Sequence, residues 1–148
     1  MGEVLIDTNV LVYAHQPAEA GKYLQALRAI QALTDAGVGR LSTQVLGEFV
    51  SATTRGRRRL LPVAEALAQA ALLADALPVF DVTRLIVLEA VRGVREHRLS
   101  YYDAQLWATA RLNQVSTIFT EDFEDGRRLE GVQFVNQLVP EFDLQRWT

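Results

Sequence analysis

The chain has 148 residues, 49% of them hydrophobic and 22% charged, with a net charge of −3, an ordinary composition for one domain over 1–148 that buries a core without cross-links. No cysteine is present, which excludes disulfides, zinc–thiolate sites and thiol nucleophiles, and only His15 and His97 offer imidazoles. The first residues carry Glu3 and Asp7 with no basic leader, and the longest apolar tract, 63–77, contains Glu65, Gln69 and Asp75, so a soluble cytoplasmic protein with no membrane span is expected.

The chain opens on Val4-Leu5-Ile6, apolar on both faces and too short for a helix, which predicts a buried strand in a parallel sheet ending at Asp7. Thr8 and Asn9 turn the chain into a short helix from Val10 to Tyr13. Residues 20–36 place Leu24, Leu27, Ile30 and Leu33 at near-helical spacing, with Gly37 as the stop. A strand at 38–41 follows. Ser42 or Thr43 then caps a helix reaching about residue 54, whose inner face is Val45, Leu46, Phe49, Val50 and Thr53, with Glu48 on its flank. All the basic residues but Lys22 are arginines, and four cluster as Arg55, Arg57, Arg58 and Arg59, a local patch suited to phosphates on an otherwise acidic protein. Pro62 opens an alanine-rich helix, 63–77, and the two helices between 42 and 77 have no strand between them, which suggests a projecting hairpin. A strand at 79–82 leads to Thr83, cap of a helix over 84–96 with Leu85, Leu88, Val91 and Val94 inside. Ser100 caps a helix over 101–113. Strands at 116–119 and 132–135 and a tail from 138 complete an α/β alternation, hence a parallel sheet with right-handed crossovers.

Four carboxylates stand at element ends: Asp7, Glu48, Asp103 and Asp122. In a doubly wound sheet these places can converge on one crevice. Each also has a local role open to it: Asp7 as a helix cap, Asp103 in a capping box with Ser100, Asp122 in a turn with the loop that holds Gly126, and Glu48 as a surface residue. Hard Mg²⁺ or Mn²⁺ takes carboxylate and water oxygens, so a cysteine-free acidic set suits those ions and not zinc.

Leu5-Ile6-Asp7-Thr8-Asn9-Val10-Leu11-Val12, Ser42-Thr43-Gln44-Val45-Leu46-Gly47-Glu48-Phe49, Ser100-Tyr101-Tyr102-Asp103-Ala104 and Phe119-Thr120-Glu121-Asp122-Phe123, in this order, resemble the PIN-domain ribonucleases, in particular the VapC-type toxins of toxin–antitoxin pairs. The resemblance implies a five-stranded parallel sheet flanked by helices and a divalent-metal endoribonuclease leaving a 5′-phosphate and a 3′-hydroxyl. It places the catalytic acids at Asp7, Glu48, Asp103 and Asp122, with Asp7, Asp103 and Asp122 as ligands of Mg²⁺ or Mn²⁺. Thr8, Asn9 and Thr120 become the groups that orient the carboxylates. It further implies an RNA substrate, a homodimer, and an antitoxin partner lying beside the acidic site. The patch Arg55, Arg57, Arg58 and Arg59 is expected to help grip the RNA backbone, and the apolar stripe Val63, Ala66, Leu67, Ala70, Leu73 and Leu77, more than one sheet layer covers, to mark the surface of self-association. Tyr102 stands where an indole is common, and Glu121 adds a fifth carboxylate. A silent RNA- or protein-binding module and a housekeeping processing nuclease are the alternatives.

Overall fold

The computed structural model describes residues 2–148. Its helices and strands alternate as β1 (Val4–Ile6), α1 (Thr8–Tyr13), α2 (Ala20–Ala36), β2 (Gly39–Ser42), α3 (Thr43–Thr54), α4 (Val63–Ala76), β3 (Val79–Phe80), α5 (Arg84–His97), α6 (Tyr101–Leu112), β4 (Thr117–Phe119), β5 (Arg128–Leu129) and β6 (Val132–Val135), followed by a 3-10 turn, Leu144–Trp147. The sheet order is β3-β2-β1-β4-β6-β5. The five expected strands are all parallel, and a sixth, β5, adds an antiparallel edge. Among the described residues no helix is long and apolar enough to cross a membrane.

β1 sits at the centre, and Val4, Leu5 and Ile6 are fully buried, as their two-sided apolar character demands. From β1 the chain moves one way in the sheet to β2 and β3, then returns across it to β4. Right-handed crossovers therefore send the helices to opposite faces, and the crevice between them opens beyond the carboxyl ends of β1 and β4. The Asp7 N–H donates to the Phe119 carbonyl at 2.9 Å, which locks those two strand ends side by side.

Packing corrects three helix readings. The inner face of α5 is Ile86, Ala90 and Gly93, whereas Leu85, Leu88 and Val91 are 68%, 61% and 53% exposed and Val94 is also exposed. Small residues win this contact because α5 must approach Trp107 of α6 closely: a Cβ at Gly93 would lie 2.8 Å from the Trp107 ring. On α2 the predicted row divides: Leu33 is buried and Ile30 half-buried, beside Ala26 and Ala29, while Leu24 and Leu27 are exposed. On α4, which packs against α3, the predicted stripe divides: Ala66 and Leu77 are buried, while Val63 and Leu67 face out.

Ser100 makes no side-chain cap, so the expected box with Asp103 does not form. The tail folds back on β4, with Phe142 and Trp147 edge-on to Phe119 at 5.5 and 5.6 Å.

Candidate active site

Asp7, Glu48, Asp103 and Asp122 all line one cleft of about 450 Å³, together with Thr8, Asn9, Tyr13, Tyr102, Glu121 and Arg55. Each acid comes from a different place in the fold. Asp7 follows β1, Glu48 lies in the second turn of α3, Asp103 in the first turn of α6, and Asp122 just beyond β4. The missing capping box leaves the Asp103 carboxylate to the cleft.

Asp7 is only 7% exposed and does both jobs that the sequence offered it. Its Oδ1 accepts from the Thr8 N–H at 2.7 Å at the start of α1, and its Oδ2 accepts from the Thr120 hydroxyl at 2.7 Å and from Asn9 Nδ2 at 3.4 Å. Thr120 is the junction: its oxygen in turn accepts from Asn9 Nδ2 at 3.3 Å and from the Asp122 N–H at 3.1 Å. One buried hydroxyl thus fixes two of the four acids. Thr8 Oγ1 lies 3.5 Å from Glu48 Oε2, a long donor contact to a third.

Burial pushes the Asp7 carboxyl up to about 7, and the nearby Asp122 and Glu48 push it the same way, against the hydrogen bonds from Thr120 and Thr8. Asp122 is raised too, by burial first, with Asp103 and Glu121 adding to it and Asn9 opposing. The cleft carboxylates stand further apart than a closed ligand set: among the described residues the trio whose ligand atoms fall within 4.8 Å of one another is Glu96, His97 and Glu130. That trio is already knit to a cation, since the Arg92 guanidinium donates to Glu96 at 2.7 Å and to Glu130 at 3.1 Å.

The cleft residues suit a hard divalent ion. They offer carboxylate, amide and hydroxyl oxygens, burial and neighbouring carboxylates raise two of the acids, and the buried Asn9 Oδ1 has no hydrogen-bond partner, an acceptor free for a metal-bound water.

Two features lay outside the sequence reading. Tyr13 Oη donates to Glu121 Oε1 at 2.8 Å, and Lys22 Nζ donates to Glu121 Oε2 at 3.0 Å and to Tyr13 Oη at 3.2 Å, so the fifth carboxylate is neutralised by the chain's single lysine. A directed relay runs to Glu48: the Tyr101 hydroxyl donates to Gln105 Oε1 at 2.9 Å, Gln105 Nε2 to Gln44 Oε1 at 3.0 Å, and Gln44 Nε2 to Glu48 Oε1 at 2.7 Å and to the Tyr102 carbonyl at 3.0 Å. It ties α3 to the first turn of α6. Gln44 stands four residues before Glu48, a helical neighbour spacing that sequence alone carries; Gln105 is 61 positions from its partner and carries no such signal.

Of the arginine patch, Arg55 reaches the cleft, and Arg57, Arg58 and Arg59 lie exposed on the turn beyond it.

Solved structures share this architecture. The chain matches a toxin–antitoxin complex from Klebsiella pneumoniae with TM-score 0.66 at 18% identity, covering 91% of this chain and 98% of that one. It matches the sarcin–ricin-loop-cleaving toxin VapC20 of Mycobacterium tuberculosis with TM-score 0.65 at 23% identity, over 81% and 90% of the two chains. DNA-bound VapBC from Salmonella typhimurium aligns with TM-score 0.68 at 15% identity, over 93% and 99%. A comparison with curated proteins finds no match. The model of the PIN domain matches residues 4–129, a span that takes in all four cleft acids and leaves out only the first strand's approach, β6 and the aromatic tail. The chain belongs to the PIN domain family.

Proposed function

We propose that this protein is a Mg²⁺- or Mn²⁺-dependent endoribonuclease of VapC type, the toxin of a toxin–antitoxin pair, which hydrolyses RNA phosphodiester bonds. The observation that carries the reading is the set of four acids from four separate elements on one cleft, with Asp7 lifted to about 7 by burial and by its acidic neighbours. Such a set calls for a cation. Asp7, Asp103 and Asp122 are cast as its ligands, directly or through water. When bound, a divalent ion would lower the pKa of a coordinated water and offset the charge that gathers on the phosphodiester.

The chain's own residues do the rest. Glu48, held on one oxygen by Gln44, turns the other to the cleft as ligand or as acceptor of the nucleophilic water's proton. Thr120, Asn9 and Thr8 hold the acids in orientation, and Arg55 at the cleft wall meets a backbone phosphate with a planar fork of donors.

The reading of partners is supported by the surface and by the neighbours, one a toxin–antitoxin complex and another a DNA-bound VapBC. An antitoxin is proposed to bind beside the acids and present a cationic group to them. The outward apolar face of α5, Leu85, Leu88 and Val91, supports a homodimer better than the α4 stripe, whose inner half is already buried.

RNA cleavage that requires Mg²⁺ or Mn²⁺, disappears with excess chelator and is abolished in Asp7→Asn tests the nuclease reading. Full cleavage under chelator refutes it. Co-expression with the product of the reading frame directly upstream is expected to silence cleavage, and undiminished activity there refutes the antitoxin.

A further inference from the structure

Beside the acidic cleft lies a second cavity, of about 370 Å³, lined by Thr43, Gln44, Gly47, Ser51, Tyr102 and Gln105, with Glu48 between the two. Gln44, Glu48, Ser51 and Tyr102 border both, so the two spaces adjoin. Two features of this second space have no structural explanation in the fold.

The first is Tyr102. It is 64% exposed although Ala104 to Ala110 of the same helix are buried. It is nonetheless fixed: Tyr101 packs edge-on against its ring at 5.1 Å and 83°, and the Tyr102 carbonyl accepts from Gln44 at 3.0 Å. A flat, solvent-facing ring held in place is a stacking platform.

The second is Gly47, in the interior of α3. Glycine there costs about 1 kcal/mol relative to alanine. Packing does not require it, since a Cβ at this position would meet nothing within 4 Å. What the missing side chain does is leave the cavity floor bare, one residue before Glu48.

We infer that this cavity is a nucleobase subsite, in which an unpaired base of the RNA stacks on Tyr102 above the bare floor at Gly47 while its attached phosphate enters the acidic cleft. Every base has a π-face, so a ring beside a phosphate track takes single-stranded RNA in general. The Ser51 hydroxyl lines the cavity toward the base edge, and Thr43, whose oxygen accepts from the Val82 N–H at 3.1 Å, still has its O–H to donate. The inference rests on the ribonuclease reading above and adds to it the place where base contact occurs.

The test measures binding of a fluorescein-labelled single-stranded RNA of random sequence to the full chain in chelator, so that cleavage is absent, over a series of salt concentrations. Tyr102→Ala is expected to weaken binding about tenfold, the scale of one lost base–aromatic stack, and to leave the salt slope unchanged because no phosphate contact goes with it. Tyr102→Phe should bind as wild type does. Gly47→Leu separates the subsite from fold effects, because leucine is a better helix former in open space: it should raise Tm by about 3 °C while lowering RNA affinity. Wild-type affinity in both Tyr102→Ala and Gly47→Leu overturns the subsite and leaves the cavity to a protein partner. A drop in salt slope for Tyr102→Ala overturns it as well, in favour of a backbone contact. Absence of RNA binding by the wild type itself would instead be a failure of the ribonuclease reading.

Discussion

Replacing Asp7 by asparagine should stabilise the metal-free protein at pH 8 and destabilise it in mild acid. Burial lifts this carboxyl from an ordinary 3.8 to about 7 in the folded state. A raised carboxyl means that the folded chain keeps a proton which the unfolded chain has released, so stability is lost as pH rises through the window between those two values. Complete ionisation costs the fold about 4 kcal/mol. Asparagine carries none of that cost and keeps an oxygen for the Thr8 N–H, but it sets an NH2 group where Oδ2 accepts from Thr120 Oγ1 and Asn9 Nδ2, a loss of about 2 kcal/mol. The balance at pH 8 is a gain of about 2 kcal/mol, or about 6 °C in Tm for a chain of this size. Below roughly pH 5 the ionisation cost falls under the hydrogen-bond loss and the wild type becomes the more stable of the two. Calorimetric or fluorimetric melting of both proteins in chelator from pH 4.5 to 8.5 reads the difference directly. Adding Mg²⁺ or Mn²⁺ at pH 8 should raise the wild-type Tm and move Asp7→Asn much less. Melting curves that stay parallel across the pH range, or equal metal shifts in both proteins, would refute the burial argument and with it the metal assignment of Asp7.

The relay to Glu48 predicts that Gln105→Met, which keeps the shape and removes the donor to Gln44, lowers Mn²⁺ affinity about tenfold by titration calorimetry; an unchanged affinity would show that Glu48 needs no such support. Arg55→Glu should weaken RNA binding more at low salt than at high and reduce the salt slope by about 0.7, and Arg58→Glu asks the same of the exposed turn; unchanged slopes in both would remove the patch from the RNA track. Leu88→Glu places a charge in the outward face of α5 and should shift light scattering from dimer to monomer, with loss of one buried leucine worth about 2 kcal/mol; a wild type already monomeric would dismiss the homodimer.

What the sequence made legible was whatever a short stretch decides by itself. Three apolar residues running into Asp7 state both a buried strand and its end, and element ends are where a parallel sheet gathers its ligands. The helices at 20–36, 43–54 and 84–97 were legible from their caps, Gly37, Ser42 and Thr83. Which face each helix buries was not. α5 is apolar on two sides, and only the partner, Trp107, decides that Ala90 and Gly93 go inward while the leucines stay out. Contacts between distant positions were equally hidden. Nothing local joins Lys22 to Glu121 across 99 positions, yet that ion pair is what removes Glu121 from the acidic set. The two-residue strand β5 and the aromatic tail were invisible because each is stabilised by what it lies on, Val132–Val135 for one and Phe119 for the other.

The way the molecule treats its other carboxylates is the stronger argument for what it does with these four. Glu89 and Glu130 share Arg92 and Arg111, Glu96 takes Arg92 and Arg95, Glu3 takes Arg40, and Glu121 takes Lys22. Nine further acids, among them Glu19, Asp35 and Glu65, lie exposed and are left to solvent, while the paired ones are held firmly, Glu130 down at about 2 by Arg92 first and His97 next. Asp7, Glu48, Asp103 and Asp122 have no salt-bridge partner among the described residues, and Asp7 is the most buried of them. Their hydrogen bonds come from neutral groups: Thr8, Asn9, Thr120 and Gln44. Neutral donors fix orientation without cancelling charge. A cleft built that way keeps its negative potential for a cation that arrives from outside, whether a divalent ion in the working enzyme or a basic side chain from a protein that shuts it off. The two compete for one site, so raising Mn²⁺ at fixed antitoxin should restore cleavage only if the inhibitor presents its cation to these acids; inhibition indifferent to Mn²⁺ would place the antitoxin contact elsewhere.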